Sequence, residues 1–208
     1  MKNTRLDFLI HALKALADDT EFLEKFAAIL AKACARTSIS YDAVISIAKE
    51  DAPELMLEAW GLKLLIPRRS AFCGEWDYRI PIMQPGEIYE MPNIGRYLVK
   101  GAMNSGKWDP QKAAADMYRD MGEEQWADMP ALIKQLGKQA SGLVISAAGI
   151  DAACRNSGFY HKTGPLILIL KGGGIISPKL ASGISAAKRR SPVYELNPSL
   201  YPYKREDA

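Results

Sequence analysis

The feature that most constrains this chain is a repeated passage in which a helix gives way to an apolar strand. Leu55-Met-Leu-Glu-Ala-Trp-Gly-Leu-Lys-Leu-Leu-Ile-Pro67 lies without a gap over Leu166-Ile-Leu-Ile-Leu-Lys-Gly-Gly-Gly-Ile-Ile-Ser-Pro178. Gly61 falls on Gly172, and both segments stop at proline. With a two-residue adjustment, Asp42-Ala43 also falls on Asp151-Ala152. The match is one of pattern more than identity. Two units of the same supersecondary order imply two domains. A chain of 208 residues has room for two of about 100 each.

The spacing of apolar residues predicts the elements. Leu6, Leu9, Ile10, Leu13 and Leu16 recur at helical intervals, as do Phe22, Phe26, Ile29, Leu30 and Ala33. Ser40 opens a short helix carrying Val44, Ile45, Ile47 and Ala48. Asp51-Ala-Pro-Glu54 is a start signal for the next, because Asp caps, Pro suits the first turn and Glu suits the positive end of the dipole. That helix is expected to run to Trp60 and end at Gly61. Leu62 to Ile66 then reads as a strand stopped by Pro67. Tyr78, Ile80 and Ile82 alternate, Gln84-Pro85-Gly86 is a turn, and Glu87 to Met91 is extended, so a hairpin is expected here. Pro81 assigns it to a sheet edge.

Beyond Pro92 the period returns to helix. Asn93 to Met103 is one candidate, and Asp109-Pro110 starts another that closes at Gly122. Trp126, Met129, Ile133 and Leu136 form a third stripe, Ser146 opens a short helix closing near Gly158, and Gly164 to Lys171 is helical. Gly172-Gly173-Gly174 leads to an Ile175-Ile176 strand, the small and basic stretch Ala181 to Arg190 is a loop, and Pro192 to Leu196 is a last strand. The expected class is therefore mainly α with small β-hairpins (α+β).

Three helices followed by a strand and a hairpin resemble the winged helix form of the helix-turn-helix, here in tandem. The first copy would use helices Glu21–Ala35, Ser40–Lys49 and Ala52–Trp60, with Gln84-Pro85-Gly86 near the tip of the wing. The second would use Glu124–Gln139, Ala147–Asn156 and Gly164–Lys171, with its wing near Lys179–Ser191. The division is then 1–92 for an N-terminal helix and the first copy, 93–122 for a helical linker and 123–208 for the second copy. The resemblance implies either DNA binding or protein assembly, since winged helices do both. Where they bind DNA, the third helix enters the major groove and the wing touches backbone or minor groove.

The third helix of the first copy is wrong for that task. It offers Asp51, Glu54 and Glu58, which phosphates repel, with only Lys49 and Lys63 flanking. In the second copy, Leu166, Ile167, Leu168, Ile169 and Leu170 make the helix apolar all round, hence packed within its domain or against a partner. Basic residues around it, His161, Lys162, Lys179 and above all Lys188-Arg189-Arg190 in the second wing, are the candidate phosphate contacts. Solvated charge that keeps a sheet edge soluble is the competing reading. Arg68 and Arg69 either extend the patch or are plain exposed charge, the second being the stronger reading.

Catalysis finds little support. His11 and His161 are the only histidines, and no metal spacing or nucleophile motif is present. The glycine run lies after a helix and before a strand, the reverse of a phosphate loop. Cys73 in Phe72-Cys-Gly-Glu-Trp76 has no histidine near it in sequence and reads as packing. Trp60, Trp76, Trp108 and Trp126 are spread as core anchors. Three widely spaced cysteines, Cys34, Cys73 and Cys154, make no disulfide framework and point to a reducing compartment. No apolar run is long enough for a signal core or a membrane span. The expectation is thus a cytoplasmic, non-enzymatic protein without cofactor or metal. It either binds double-stranded DNA in a transcription-related role or, alternatively, is a protein-interaction module. Both readings are compatible with a homo-oligomer. A formal net charge of +3 is too small to decide between them.

Overall fold

A computed structural model describes residues 4–16, 20–68, 75–76, 79–159, 163–179 and 192–202. They divide into two units, 1–73 with 79–109 and 74–78 with 110–208.

In the first unit the order is α1 (Thr4–Leu13), α2 (Thr20–Arg36), β1 (Ser38–Ser40), α3 (Tyr41–Ala48), α4 (Ala52–Gly61), β2 (Ile66–Pro67), β3 (Ile88–Glu90) and α5 (Asn93–Ser105). The second runs α6 (Pro110–Asp120), α7 (Met129–Gln139), β4 (Val144–Ser146), α8 (Ala147–Asn156), α9 (Thr163–Gly173), β5 (Ile176–Pro178) and β6 (Val193–Leu196). Each holds an antiparallel three-stranded sheet, ordered β1-β3-β2 and β4-β6-β5. The protein is mainly helical with these two small sheets, as the hydrophobic periods predict.

The two sheets repeat residue for residue. Ile39 faces Tyr89 and Ser40 faces Ile88 in one; Ile145 faces Tyr194 and Ser146 faces Val193 in the other. Pro67 pairs with Tyr89 and Pro178 with Tyr194. Both Tyr-Glu pairs, Tyr89-Glu90 and Tyr194-Glu195, therefore occupy the central strand at one register. Each proline lies on an outer strand, the place where a missing N–H is tolerated. The serines end their strands and cap the next helix. Ser40 Oγ accepts from Ala43 N–H (3.3 Å) and Ser146 Oγ from Gly149 N–H (3.1 Å).

The expected hairpin differs from the structure. The hairpin partner of β3 is not the 78–82 stretch: β3 pairs with β1 and β2, and residues 79–83 have no strand. Side chains pin that stretch instead, through Trp60 Nε1–H donating to the Arg79 carbonyl (2.8 Å) and Tyr89 Oη–H to the Ile82 carbonyl (2.9 Å). Strands β1 and β4 were invisible because three residues cannot show a period of two. Finally, the 93–122 stretch is divided between the units. The buried stripe Ile94, Leu98, Val99 and Ala102 packs α5 on α1 and α2, whereas Ala113, Ala114, Met117 and Tyr118 pack α6 on α7. Amphipathic helices must cover such faces, and each does so within its own unit. Helix α6 precedes its copy as α1 precedes the other, which extends the repeat to helices that the periodicity left outside it.

Residues 75–76 group with the second unit, where buried Trp76 donates its backbone N–H to Ser177 Oγ on β5 (3.1 Å). Phe72, Cys73 and Gly74 lie outside the described residues.

Candidate nucleic-acid interface

Strands β2 and β5 each end on proline, and each hands over to an exposed cation. Arg68 N–H donates to the Ile88 carbonyl (2.7 Å), and Lys179 N–H donates to the Val193 carbonyl (2.9 Å). Two candidates from the sequence thus occupy one position in the two copies, immediately after the outer strand. Both side chains are exposed. His161, Lys162, Arg69, Lys188, Arg189 and Arg190 lie outside the described residues.

Charge separates the copies. Residues 41–60, which hold α3 and α4, carry Asp42, Glu50, Asp51, Glu54 and Glu58 against Lys49. In the second unit, residues 131–190 carry nine Lys or Arg against one acid, Asp151. That acid is engaged within the fold, paired with Arg155 and accepting from Thr163 Oγ1–H (2.9 Å) at the start of α9. In the same unit the side chains of Lys134, Lys138, Lys171 and Lys179 are exposed. The equivalent regions of the two units therefore carry charge of opposite sign.

The apolar helix α9 divides by face. Leu166 and Leu170 are buried in their own unit, Ile167 and Ile169 are half-buried, and Leu168 stands 69% exposed. The five residues do not form one surface. The matching position in the first copy is Leu57, 52% exposed on α4. An exposed leucine at the same turn of both third helices offers nothing to base edges, which are read by Arg, Lys, Asn and Gln.

The described cysteines do not carry chemistry of their own. Cys34 and Cys154 are free thiols, and burial pushes both up from the ordinary value, so neither is primed as a thiolate. Among the described residues no cluster of His, Cys, Asp or Glu is suited to a metal ion. None of the described helices is long and apolar enough to cross a membrane.

A family model for proteins of unknown function matches residues 8–205. The chain belongs to that family. The match runs through both units. No curated protein and no solved structure matches the sequence.

Proposed function

We propose that the protein is a non-enzymatic, double-stranded-DNA-binding protein of the tandem winged helix kind. It acts in a transcription-related role and holds the phosphate backbone through its second unit. The observation that carries this reading is the nine-to-one excess of cations over residues 131–190, with its one acid already engaged by Arg155 and Thr163. The order helix, strand, helix, helix, strand, strand, with the last strand central, supports the winged helix assignment. In that arrangement the loop after Lys179 is the wing, and Lys188, Arg189 and Arg190 lie in it. Backbone contact of this type gives affinity and steering without sequence readout. The free thiols fit a reducing, cytoplasmic setting.

The test is fluorescence anisotropy of a labelled mixed-sequence duplex at ~50 mM and ~200 mM salt, where counterion release makes binding steeply salt-dependent. Replacing Lys188, Arg189 and Arg190 together by Ala is expected to lower affinity and flatten the salt slope by up to about 3, one for each phosphate released. Unchanged binding removes the wing assignment, and no binding at low salt removes the DNA reading.

The exposed pair Leu57 and Leu168 favours a second reading, docking of a protein partner or a second copy on the third helices. It predicts a dimer or complex that Leu168→Glu dissociates in sedimentation. A monomer at high concentration, with no partner retained, counts against it.

A further inference from the structure

In the first unit, α2 and α5 enclose a partly open groove of about 310 Å3, a size that small-molecule sites occupy. Ala31, Cys34 and Ala35 line it from α2, and Arg96, Lys100 and Met103 from α5, with Tyr97 beside them. Its electrostatics are one-sided. From Phe26 to Arg36 the charged residues are Lys32 and Arg36; from Met91 to Trp108 they are Arg96, Lys100 and Lys107. No carboxylate lies in either stretch. Among the described residues neither Arg96 nor Lys100 forms an ion pair.

Arg96 adds an unmet demand. Its Nε–H is buried and has no hydrogen-bond partner, and a buried donor left unpaired is costly until an acceptor arrives. Its backbone carbonyl is already engaged, accepting from the Cys34 thiol at 3.6 Å. Arginine's planar fork suits the oxygens of a carboxylate or phosphate, and a lysine one turn further along adds a point charge to the same anion. The alanines and Met103 supply an apolar floor next to this charged end. A concave site of this size holds a compact molecule.

We infer that this groove binds a small organic oxyanion, a carboxylate or phosphate carrying an apolar body, with Arg96 and Lys100 on its charged end and Ala31, Ala35 and Met103 against its body. The inference stands apart from the DNA reading, since it concerns another unit and another face chemistry.

Titration calorimetry of the full chain with phenyl phosphate and with benzoate tests it. Location is read from the rate at which iodoacetamide alkylates Cys34, mapped by mass spectrometry. Either probe is expected to bind and to slow alkylation of Cys34, and neutral benzamide to do neither. Lys100→Gln changes an exposed side chain and keeps the fold, and it is expected to weaken both probes by about tenfold, the usual scale of one charge-assisted contact. Arg96→Gln is expected to weaken them at least as much, with circular dichroism confirming that it is folded. No heat with either probe overturns the inference, as does equal binding of benzamide. Inorganic phosphate binding as tightly as phenyl phosphate removes the apolar body. Protection of Cys34 by duplex DNA but not by phenyl phosphate assigns the groove to nucleic acid instead.

Discussion

Tyr118 and Asn197 are both fully buried polar residues of the second unit, and they lead to opposite expectations. The Tyr118 hydroxyl has no hydrogen-bond partner, so its desolvation is uncompensated. Tyr118→Phe keeps the ring and is expected to stabilise the protein by about 1 kcal/mol in urea unfolding. The same burial, with Glu123 adding repulsion, holds the phenol well above its ordinary value of 10.0. As pH rises past that value the unfolded chain loses this proton while the folded chain keeps it, so stability falls on the alkaline side. Below it the two states bind the proton alike and no slope arises. The Phe variant is therefore expected to lose less stability than the parent between about pH 10 and 11; parallel alkaline limbs would show that Tyr118 ionises freely. Asn197 is the reverse case. Its Nδ2–H donates to the Gly174 carbonyl (2.8 Å), and its Oδ1 accepts from Ser199 N–H (3.0 Å) and Oγ–H (2.7 Å). Asn197→Ala strands these groups and is expected to cost roughly 3 kcal/mol, read from the same urea midpoints.

At the level of elements, the serine that ends a strand and caps the following helix recurs as Ser40 and Ser146. Ser40→Ala and Ser146→Ala are each expected to cost about 1 kcal/mol, and their sum when combined, because the two caps share no partner. Chemical denaturation of the single and double variants checks both points. These caps also mark how far the sequence is legible. Helices with a full apolar stripe announce themselves, as α2 and α7 do through Phe26, Ile29 and Leu30 and through Ile133 and Leu136. Strand β1 does not, because its identity depends on Tyr89, fifty residues away on the central strand. The chain reversal after α4 was hidden for another reason. Gly61 matches Gly172 in sequence, yet the left-handed residues are Lys63 (φ 53°) and Gly174 (φ 76°), two positions later. A glycine marks the turn in one copy only. In the other a lysine takes the conformation, its Nζ 4.1 Å from the centre of the Trp60 ring. Of the candidate site, the positions of Arg68 and Lys179 were readable as charges, but their equivalence was not, since it arises from the pairing of Pro67 with Tyr89 and Pro178 with Tyr194.

For the molecule as a whole, duplication with divergence of charge is the property that function has to use. Equivalent backbones place Arg68 in a unit whose α3 and α4 are acidic and Lys179 in a unit whose residues 131–190 are strongly basic. If both loops met phosphate equally, removing either cation would weaken duplex binding equally. On the proposed reading they are unequal, because the net negative charge of residues 41–60 opposes a phosphate at the first unit, whereas the net positive charge of residues 131–190 attracts one to the second. Lys179→Ala is expected to weaken binding of a mixed-sequence duplex several-fold and to lower the salt slope by about 1. Arg68→Ala is expected to leave both unchanged. Neither exposed side chain supports the core, so thermal unfolding of the two variants should match the parent and remove stability as an explanation. Equal losses from both variants would mean that the two units bind DNA together and that the acidic helices face away from it. A loss from Arg68→Ala alone would move the interface to the first unit and overturn the charge argument.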